Sequence, residues 1–357
     1  MVRSGKFNDK KILLLDKEPK TKNDRTWCFW EKEAGFFEEI VHKSWDSISF
    51  LSKEYSTLMN IAPYHYKMIR GIDFYQYCFN EIGKHPNVEV VFGDIKSWNH
   101  ENTKVVFNIN NQAFRLEGAH VFNSISESRE PAKRTIRLLQ HFKGWMIETS
   151  SPCFKPGEAT MMDFRVHQQY GTTFAYVLPV STTSALVEYT LFTKELLLPG
   201  QYDKELRNYI SRFLEIDKYE IKEQEFGIIQ MTNEKFSFHG QGWQIGMAGG
   251  QSKASSGYTF QFIQKQSDQI TDYLIKGKSL ASLPATPRRF RFYDNTLLHI
   301  LYHKRLPGHE IFTQLFKNNK PQRVLRFLDN ESSFKDELKI ISTLPAWPFL
   351  KAAIKQL

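Results

Sequence analysis

The chain has 357 residues, a net charge of +9, and 41% hydrophobic, 24% charged and 14% aromatic residues, with 29 phenylalanines, room for two domains with their own cores. Cys28, Cys78 and Cys153 are far apart and form no CxxC pair, which argues against a disulfide frame or zinc site and for reduced thiols in a cytosolic compartment. No stretch reaches the ~18–20 apolar residues of a membrane span, and the run from Ile12 to Leu15 is too short for a signal peptide.

Lys11 to Asp16 reads as a buried parallel strand ending in an acid. An acid at that place can accept hydrogen bonds from a nucleotide ribose, or simply end a strand. The segment from Asn23 to Trp30 is polar, then densely aromatic, and reads as irregular. Strands are expected over Trp45–Leu51 and Tyr64–Ile69, the second ending at Arg70-Gly71. Ile72, Tyr75, Cys78, Phe79 and Ile82 have helical spacing. Val88–Phe92 is a further strand. Lys104–Asn108 and Ala113–Leu116 form a hairpin around Asn110-Asn111, and Ala119–Ser124 returns as a strand. This order suits a nucleotide-binding α/β domain with an antiparallel excursion.

From Lys143 the character changes to successive antiparallel strands, over Trp145–Thr149, Thr160–His167, Thr172–Val180 and Ser184–Phe192. In the last of these, Ala185, Val187, Tyr189 and Leu191 share one face, while Glu188 lies on the other between Leu186 and Thr190. A carboxyl on a strand apolar on both faces loses hydration, so its pKa rises and it becomes a candidate general acid. A glutamate at a sheet edge or paired with an arginine is the alternative. Tight turns at Gln168–Gly171 and Ser181–Thr183 would set Asp163 opposite Tyr176 and Tyr176 opposite Glu188, with Arg165 two positions along.

A helix follows over Gly200–Leu214, then a strand over Ile221–Thr232. Trp243–Gly246 is a strand running into Met247-Ala248-Gly249-Gly250, and a helix covers Tyr258–Ile275. Glycines between a strand end and a helix start let backbone N–H groups approach a ligand closely, or make a loop and no more. The remainder is helical in short pieces split by Pro287, Pro307, Pro321 and Pro345. His299 and His303 stand at i and i+4, with no third ligand nearby, so no metal site is expected. Between Thr286 and Leu357 there are thirteen Lys+Arg and six Asp+Glu. Such a basic segment suits an anionic membrane surface; no helix-turn-helix, zinc-finger or RNP pattern accompanies it, so nucleic acid is not expected.

Several stretches together resemble the bacterial flavin-dependent lycopene cyclases. They are Asn23–Trp30, Met162-Asp163-Phe164-Arg165, Leu186-Val187-Glu188-Tyr189-Thr190, Glu225–Thr232, and Ala248-Gly249-Gly250 followed by Ser256–Phe260. Their order and spacing match, from about Lys11 to the C-terminus. The resemblance implies an α/β (α+β) fold: a Rossmann-like FAD-binding domain with an inserted antiparallel substrate sheet and a helical C-terminus. The FAD/NAD(P)-type domain would take residues 1–44, 67–135 and 236–280, the substrate domain 45–66 and 136–235, and the basic helical segment 281–357. It also implies reduced FAD, a nicotinamide cofactor, NAD(P)H, as reductant, and redox-neutral cyclisation of lycopene or a related carotenoid. The protein would be cytoplasmic and peripheral to the inner face of the cell membrane. Glu188, Asp163 and Arg165 would be catalytic. Asp16, Arg70, Gly249, Gly250 and Gly257 would bind the cofactor.

Two features depart from the family. Gln230 replaces a proline, and the first strand, Gly-rich phosphate turn and helix of the Rossmann unit are not found before Asp16, as though the chain were truncated or Met1 were not the true start. A flavin-dependent reductase or epoxidase of an apolar isoprenoid, and a cofactor-free remnant, therefore stand beside the cyclase as alternatives.

Overall fold

The computed structural model describes residues 1–101, 104–109, 112–117, 120–125, 135–234 and 242–355. The turn expected at Asn110-Asn111 lies outside them. The first half holds strands β1 (Ile12–Asp16), β2 (Thr26–Glu31), β3 (Lys43–Trp45), β4 (Ser47–Leu51), β5 (Ser56–Asn60) and β6 (His65–Arg70), then helix α1 (Gly71–Gly83). Strands β7 (Val88–Phe92), β8 (Ile95–Glu101), β9 (Lys104–Ile109), β10 (Gln112–Glu117) and β11 (Phe122–Asn123) follow. The middle holds β12 (Arg137–Glu148), β13 (Glu158–Asp163), β14 (Thr172–Pro179), β15 (Ser184–Thr193), helix α2 (Pro199–Phe213) and β16 (Glu220–Thr232). Next come β17 (Trp243–Gln244) and helix α3 (Phe260–Ile275). Helices α4 (Arg288–Tyr302), α5 (Gly308–Asn318), α6 (Pro321–Leu328), α7 (Phe334–Ser342) and α8 (Ala346–Ile354) complete the described chain.

The central element is a seven-stranded sheet in the order β16-β12-β15-β14-β13-β4-β5. Alternation along β15 divides its side chains as the sequence predicts. Ala185, Val187, Tyr189 and Leu191 join one apolar cluster, with Tyr202, Leu206, Tyr209 and Ile210 of α2. Those α2 residues recur at three- and four-residue steps, a single helical stripe, so α2 lies along that face. Leu186 and Phe192 join the other cluster, with helices α4 to α6. There the abundant phenylalanine is spent on core. Phe50 stacks on Phe316 at 4.7 Å, and Phe164 lies 5.2 Å from Phe174 and 5.6 Å from Phe312. Such offset and tilted pairs add to the burial of each ring.

Prolines open four of the five C-terminal helices, and Ser333 caps α7. Pro287, Pro307 and Pro345 stand at the N-caps of α4, α5 and α8, and Pro321 is the first residue of α6. A residue without an N–H loses nothing there, because the first-turn donors have no helical acceptor.

Two differences from the expected elements bear on function. The segment read as irregular contains β2, which pairs with β6. Its aromatic residues alternate between a cluster under α3 and the main core, so it is buried on both faces and shows no simple hydrophobic period. Strand β12 begins at Arg137, eight residues before the expected Trp145, and pairs along its whole length with β16 and from Leu139 onward with β15. Outside the seven-stranded sheet, in which β4 and β13 also run parallel, the parallel strands form two separate pairs among the described residues, β1 with β7 and β11 with β17.

Candidate active site

Glu188 projects from β15 on the side of the phenylalanine cluster. Directly across the ladder on β14 is Tyr176, as the turn lengths predict. On its other side is Gly144 of β12, and beyond Gly144 on β16 is Glu225. Tyr176, Glu188, Gly144 and Glu225 thus form one row over four strands. Adjacent strands lie ~4.8 Å apart, so the two glutamates start about twice that distance from each other and lean together over the glycine. A Cβ added at Gly144 would come within 2.9 Å of Glu225 Cγ and 3.1 Å of Glu225 Oε1 and Leu186 Cδ1. A side chain here would have to push the Glu225 carboxyl or Leu186 aside.

The two carboxyls lie close enough to share a hydrogen bond when one of them is protonated. Glu188 Oε1 also accepts from Thr190 Oγ1 at 2.5 Å, and Glu225 Oε2 accepts from Thr26 Oγ1 of β2 at 2.7 Å. Burial pushes both carboxyls well above the usual range, and the charge of Glu225 raises Glu188 further. For Glu225, Glu223 and Asp24 add to the rise, while the bonds from Thr26 and Glu188 oppose it. Two carboxyls in contact in a dry site cannot both ionise, so near neutral pH the pair holds a proton between them. This is the preparation a general acid requires.

Around the pair, Cys28, Glu188 and Tyr258 are surrounded by protein and only partly accessible. Thr26 and Cys28 lie two residues apart on the same face of β2. Tyr176 and Tyr258 interact with each other and with Glu188. Burial raises the Cys28 thiol well above its ordinary value, with the two glutamates adding to the rise, so the sulfur stays neutral. Beside these residues Cys28, Trp30, Tyr258 and Asp329 border a void of ≈ 10 Å³, the size of one water. Burial lifts the Asp329 carboxyl to about 7.

Asp163 and Arg165 do not join Glu188. The pairing of β13 with β14 shifts between Thr160 and Asp163, and Asp163 comes opposite Ala175 instead of Tyr176. That slip turns its side chain to the α2 face. There the fully buried Asp163 accepts from Arg165 Nε at 2.9 Å, from Arg165 NH2 at 2.6 Å and from Tyr209 Oη at 2.8 Å. It is a clamp between the sheet and α2.

Arg70, at the N-cap of α1, is likewise engaged. Its guanidinium grips Asp73 with two bonds, of 2.6 and 2.8 Å. His299 and His303 have ring centroids 4.4 Å apart, and no group of three or more His, Cys, Asp or Glu that could hold a metal occurs among the described residues.

The residues expected at a cofactor lie at two places. Asp16 ends β1, where Lys20 Nζ approaches it at 2.8 Å and the Glu18 N–H at 3.3 Å. Gly249 closes a short 3-10 turn, and Gly250 caps it in the left-handed region. Gly257, φ +71°, approaches β12 so closely that a Cβ would fall 1.8 Å from Gln140 Oε1. The Gln140 Oε1 and Ser256 Oγ atoms are buried without a hydrogen-bond partner among the described residues. Orphaned polar atoms beside a glycine cradle are what a bound ring with polar edges would satisfy. This end fits the polar edge of a flavin ring, whereas the Asp16 carboxylate is engaged by Lys20 and the Glu18 N–H. No Gly-rich turn for the pyrophosphate lies among the residues before β1.

The sequence assigns no role to Glu225, Gly144, Thr26, Cys28 or Tyr258, although all but Gly144 lie in stretches that carry the family resemblance. The pairing of β12 supplies the place of Glu225.

Among solved structures, the chain is similar to a geranylgeranyl bacteriochlorophyll reductase-like protein from Thermoplasma acidophilum, at TM-score 0.64 and 12% identity, over 100% of this chain and 95% of that one. A flavoprotein/dehydrogenase from Cytophaga hutchinsonii gives TM-score 0.64 at 11% identity, over 100% and 96%. The p-nitrophenol 4-monooxygenase PnpA from Pseudomonas putida gives 0.57 at 11%, over 99% and 94%. These likenesses establish a mixed α/β fold of the Rossmann flavoprotein type. No curated protein matches the chain. The sequence profile of the lycopene cyclase protein family matches residues 4–354, nearly the whole chain, so the protein belongs to that family.

Proposed function

We propose that the protein is a lycopene cyclase that closes the ends of lycopene, or of a related carotenoid, to β-ionone rings by acid–base chemistry. The observation behind this reading is the enclosed Glu188–Glu225 pair. The acid's proton passes to a terminal double bond, the resulting carbocation closes the ring, and the pair recovers a proton from the cyclised cation. Nothing is oxidised or reduced overall, which suits a site whose reactive groups are two carboxyls sharing one proton. Glu188 is the donor because Tyr176 and the apolar residues Leu186 and Phe192 flank it. Glu225 keeps that proton in place, and Thr190 and Thr26 orient the two carboxyls. Tyr176 and Tyr258 present aromatic faces, which stabilise cations.

The flavin reading rests on Asp16 at the ribose end and on Gly249, Gly250 and Gly257 at the ring end. Bound in its reduced form, with NAD(P)H as reductant, the flavin supplies negative charge for a cationic transition state. Co-expression with a lycopene-producing pathway tests the activity. The parent should form β-carotene and Glu188→Gln should not; equal output from the two would overturn the role of Glu188.

A carotenoid-binding protein without flavin is the second reading, favoured by the division of the parallel strands into two pairs. Flavin absorbance in the purified chain, or saturable quenching of added FAD, would exclude it. A reductase or oxygenase of an apolar isoprenoid would consume NAD(P)H in proportion to product, whereas the cyclase would not.

A further inference from the structure

Strand β2 carries Thr26, Cys28 and Trp30 on one face. Thr26 Oγ1 donates to Glu225 at 2.7 Å, and both glutamates act on the Cys28 thiol. At the other end of the row the Trp30 indole N–H approaches Asp329, the C-cap residue of α6. Four residues of extended chain span about 13 Å. Asp329 therefore stands well removed from the Glu188–Glu225 pair and reaches it only through groups between them.

Tyr258 occupies that interval. Its ring meets Trp30 edge-on at 4.8 Å. Its hydroxyl approaches that of Tyr176, and it feels the charges of both Asp329 and Glu188. Tyr176 in turn stands opposite Glu188 across the ladder. Asp329, Trp30 and Tyr258 border the void of ≈ 10 Å³. Trp30 Nε1 and Tyr258 Oη are both buried without a hydrogen-bond partner among the described residues. A buried indole N–H or phenol hydroxyl usually finds a partner. One water in the void would accept from Trp30, donate to Asp329 and bond Tyr258, within the about two to four partners a buried water takes.

Asp329 suits the outer end of such a row. It is 7% exposed. Burial and Glu331 oppose its charged form, while Lys265 and Lys253 favour it. Lys265 and Glu331 form an exposed ion pair, which places Asp329 near the surface. A carboxyl with both forms accessible near neutral pH can take up a proton and pass it on.

We propose that Asp329, through one bound water and the hydroxyls of Tyr258 and Tyr176, is the path by which solvent reaches the proton shared by Glu188 and Glu225. Each hydroxyl releases one proton as it accepts another, so no charge is left on the path, and Asp329 recovers its proton from the medium. The proposal rests on the shared proton of the cyclase reading and gives the pair a means of reloading. A turnover returns the substrate's proton to the pair, and the path exchanges or replaces it. In this role Asp329 touches no substrate; it acts through the tyrosines.

Infrared spectroscopy of the full chain tests the path without carotenoid or flavin. A protonated carboxyl has a C=O band that moves when its proton exchanges for deuterium, and the band lost in Glu188→Gln/Glu225→Gln belongs to the pair. After transfer to deuterium oxide that band should move at least ~10-fold more slowly in Asp329→Asn and in Tyr258→Phe than in the parent. Asp329→Glu should restore much of the rate. A loosened fold would act the other way, since local opening admits solvent and speeds exchange. Parental or faster exchange in both variants would overturn the path and leave the shared proton standing. A parent without the band would overturn the shared proton, and the path with it. Turnover in deuterium oxide gives a second measure. β-Carotene from the parent should carry close to one deuterium per ring, and that from Asp329→Asn should carry less, because the variant reuses the proton it takes from substrate. Equal label in the two products would overturn the proposal.

Discussion

Replacing Glu225 by Gln separates the carboxyl pair from a lone buried acid. The side chain keeps its shape and still reaches over Gly144, but it no longer titrates and presents an amide N–H to Glu188. That donor favours the ionised form of Glu188, and one negative neighbour is gone; both effects lower the Glu188 pKa. Once the pKa has fallen below the pH, each further unit, about 1.4 kcal/mol, lowers the protonated fraction roughly tenfold. The variant should therefore form β-carotene roughly tenfold to a hundredfold more slowly near neutral pH and regain rate as the medium is acidified. Stability supplies an independent reading. A carboxyl whose folded pKa lies above its usual 4.5 stays protonated in the folded chain after the unfolded chain has released its proton. Its contribution is intact below the usual value and is lost as pH rises through the folded one. The slope is about 1.4 kcal/mol per pH unit for each such group. Denaturant unfolding from pH 5 to 8 should show a shallower alkaline loss in Glu225→Gln by up to that amount. A variant with the parent's pH–rate profile and the parent's stability slope would refute the shared proton.

Gly144→Ala places a methyl between the two carboxyls, against Glu225 and Leu186. It should cost about 1–3 kcal/mol in denaturant unfolding, and β-carotene formation by the folded variant should fall at least as far as in Glu225→Gln. Parental turnover would show that the carboxyls need not meet. Asp163→Asn breaks the clamp on Arg165 and Tyr209, and should lose about 2–3 kcal/mol of stability. Below its melting range its turnover should stay near the parent's. Loss of turnover with unchanged stability would return Asp163 to the chemistry.

The legibility of the site in the sequence followed from how each strand's register is set. Strand β15 alternates strictly, so the face of Glu188 was readable. A three-residue turn ties β14 to β15, so Tyr176 opposite Glu188 was readable too. Asp163 was not, because the register slip runs through Met161 and Met162, which are both buried in the core. Two adjacent apolar residues hide a bulge from any argument based on alternation. Glu225 escaped because its place depends on β12 running back to Arg137, and Arg137 to Gly144 mixes basic, polar and apolar residues without a period. Asp73, three residues along, engages Arg70 in an ion pair that the spacing of the helix does not announce. The proline-led helices and the basic surplus were legible from composition and position alone.

Gly144 also determines what the carboxyl pair lacks. Its backbone groups belong to a ladder flanked by strands on both sides, and without a side chain it offers no donor to the oxygens above it. The pair therefore rests on a floor that cannot solvate a second negative charge, with the hydroxyls of Thr190 and Thr26 at its rim. When the shared proton departs, the excess charge is compensated least from below. On the cyclase reading proposed above, such a site would grow more hospitable to a cation at the moment it has created one, and would hold that cation near the base that finishes the reaction.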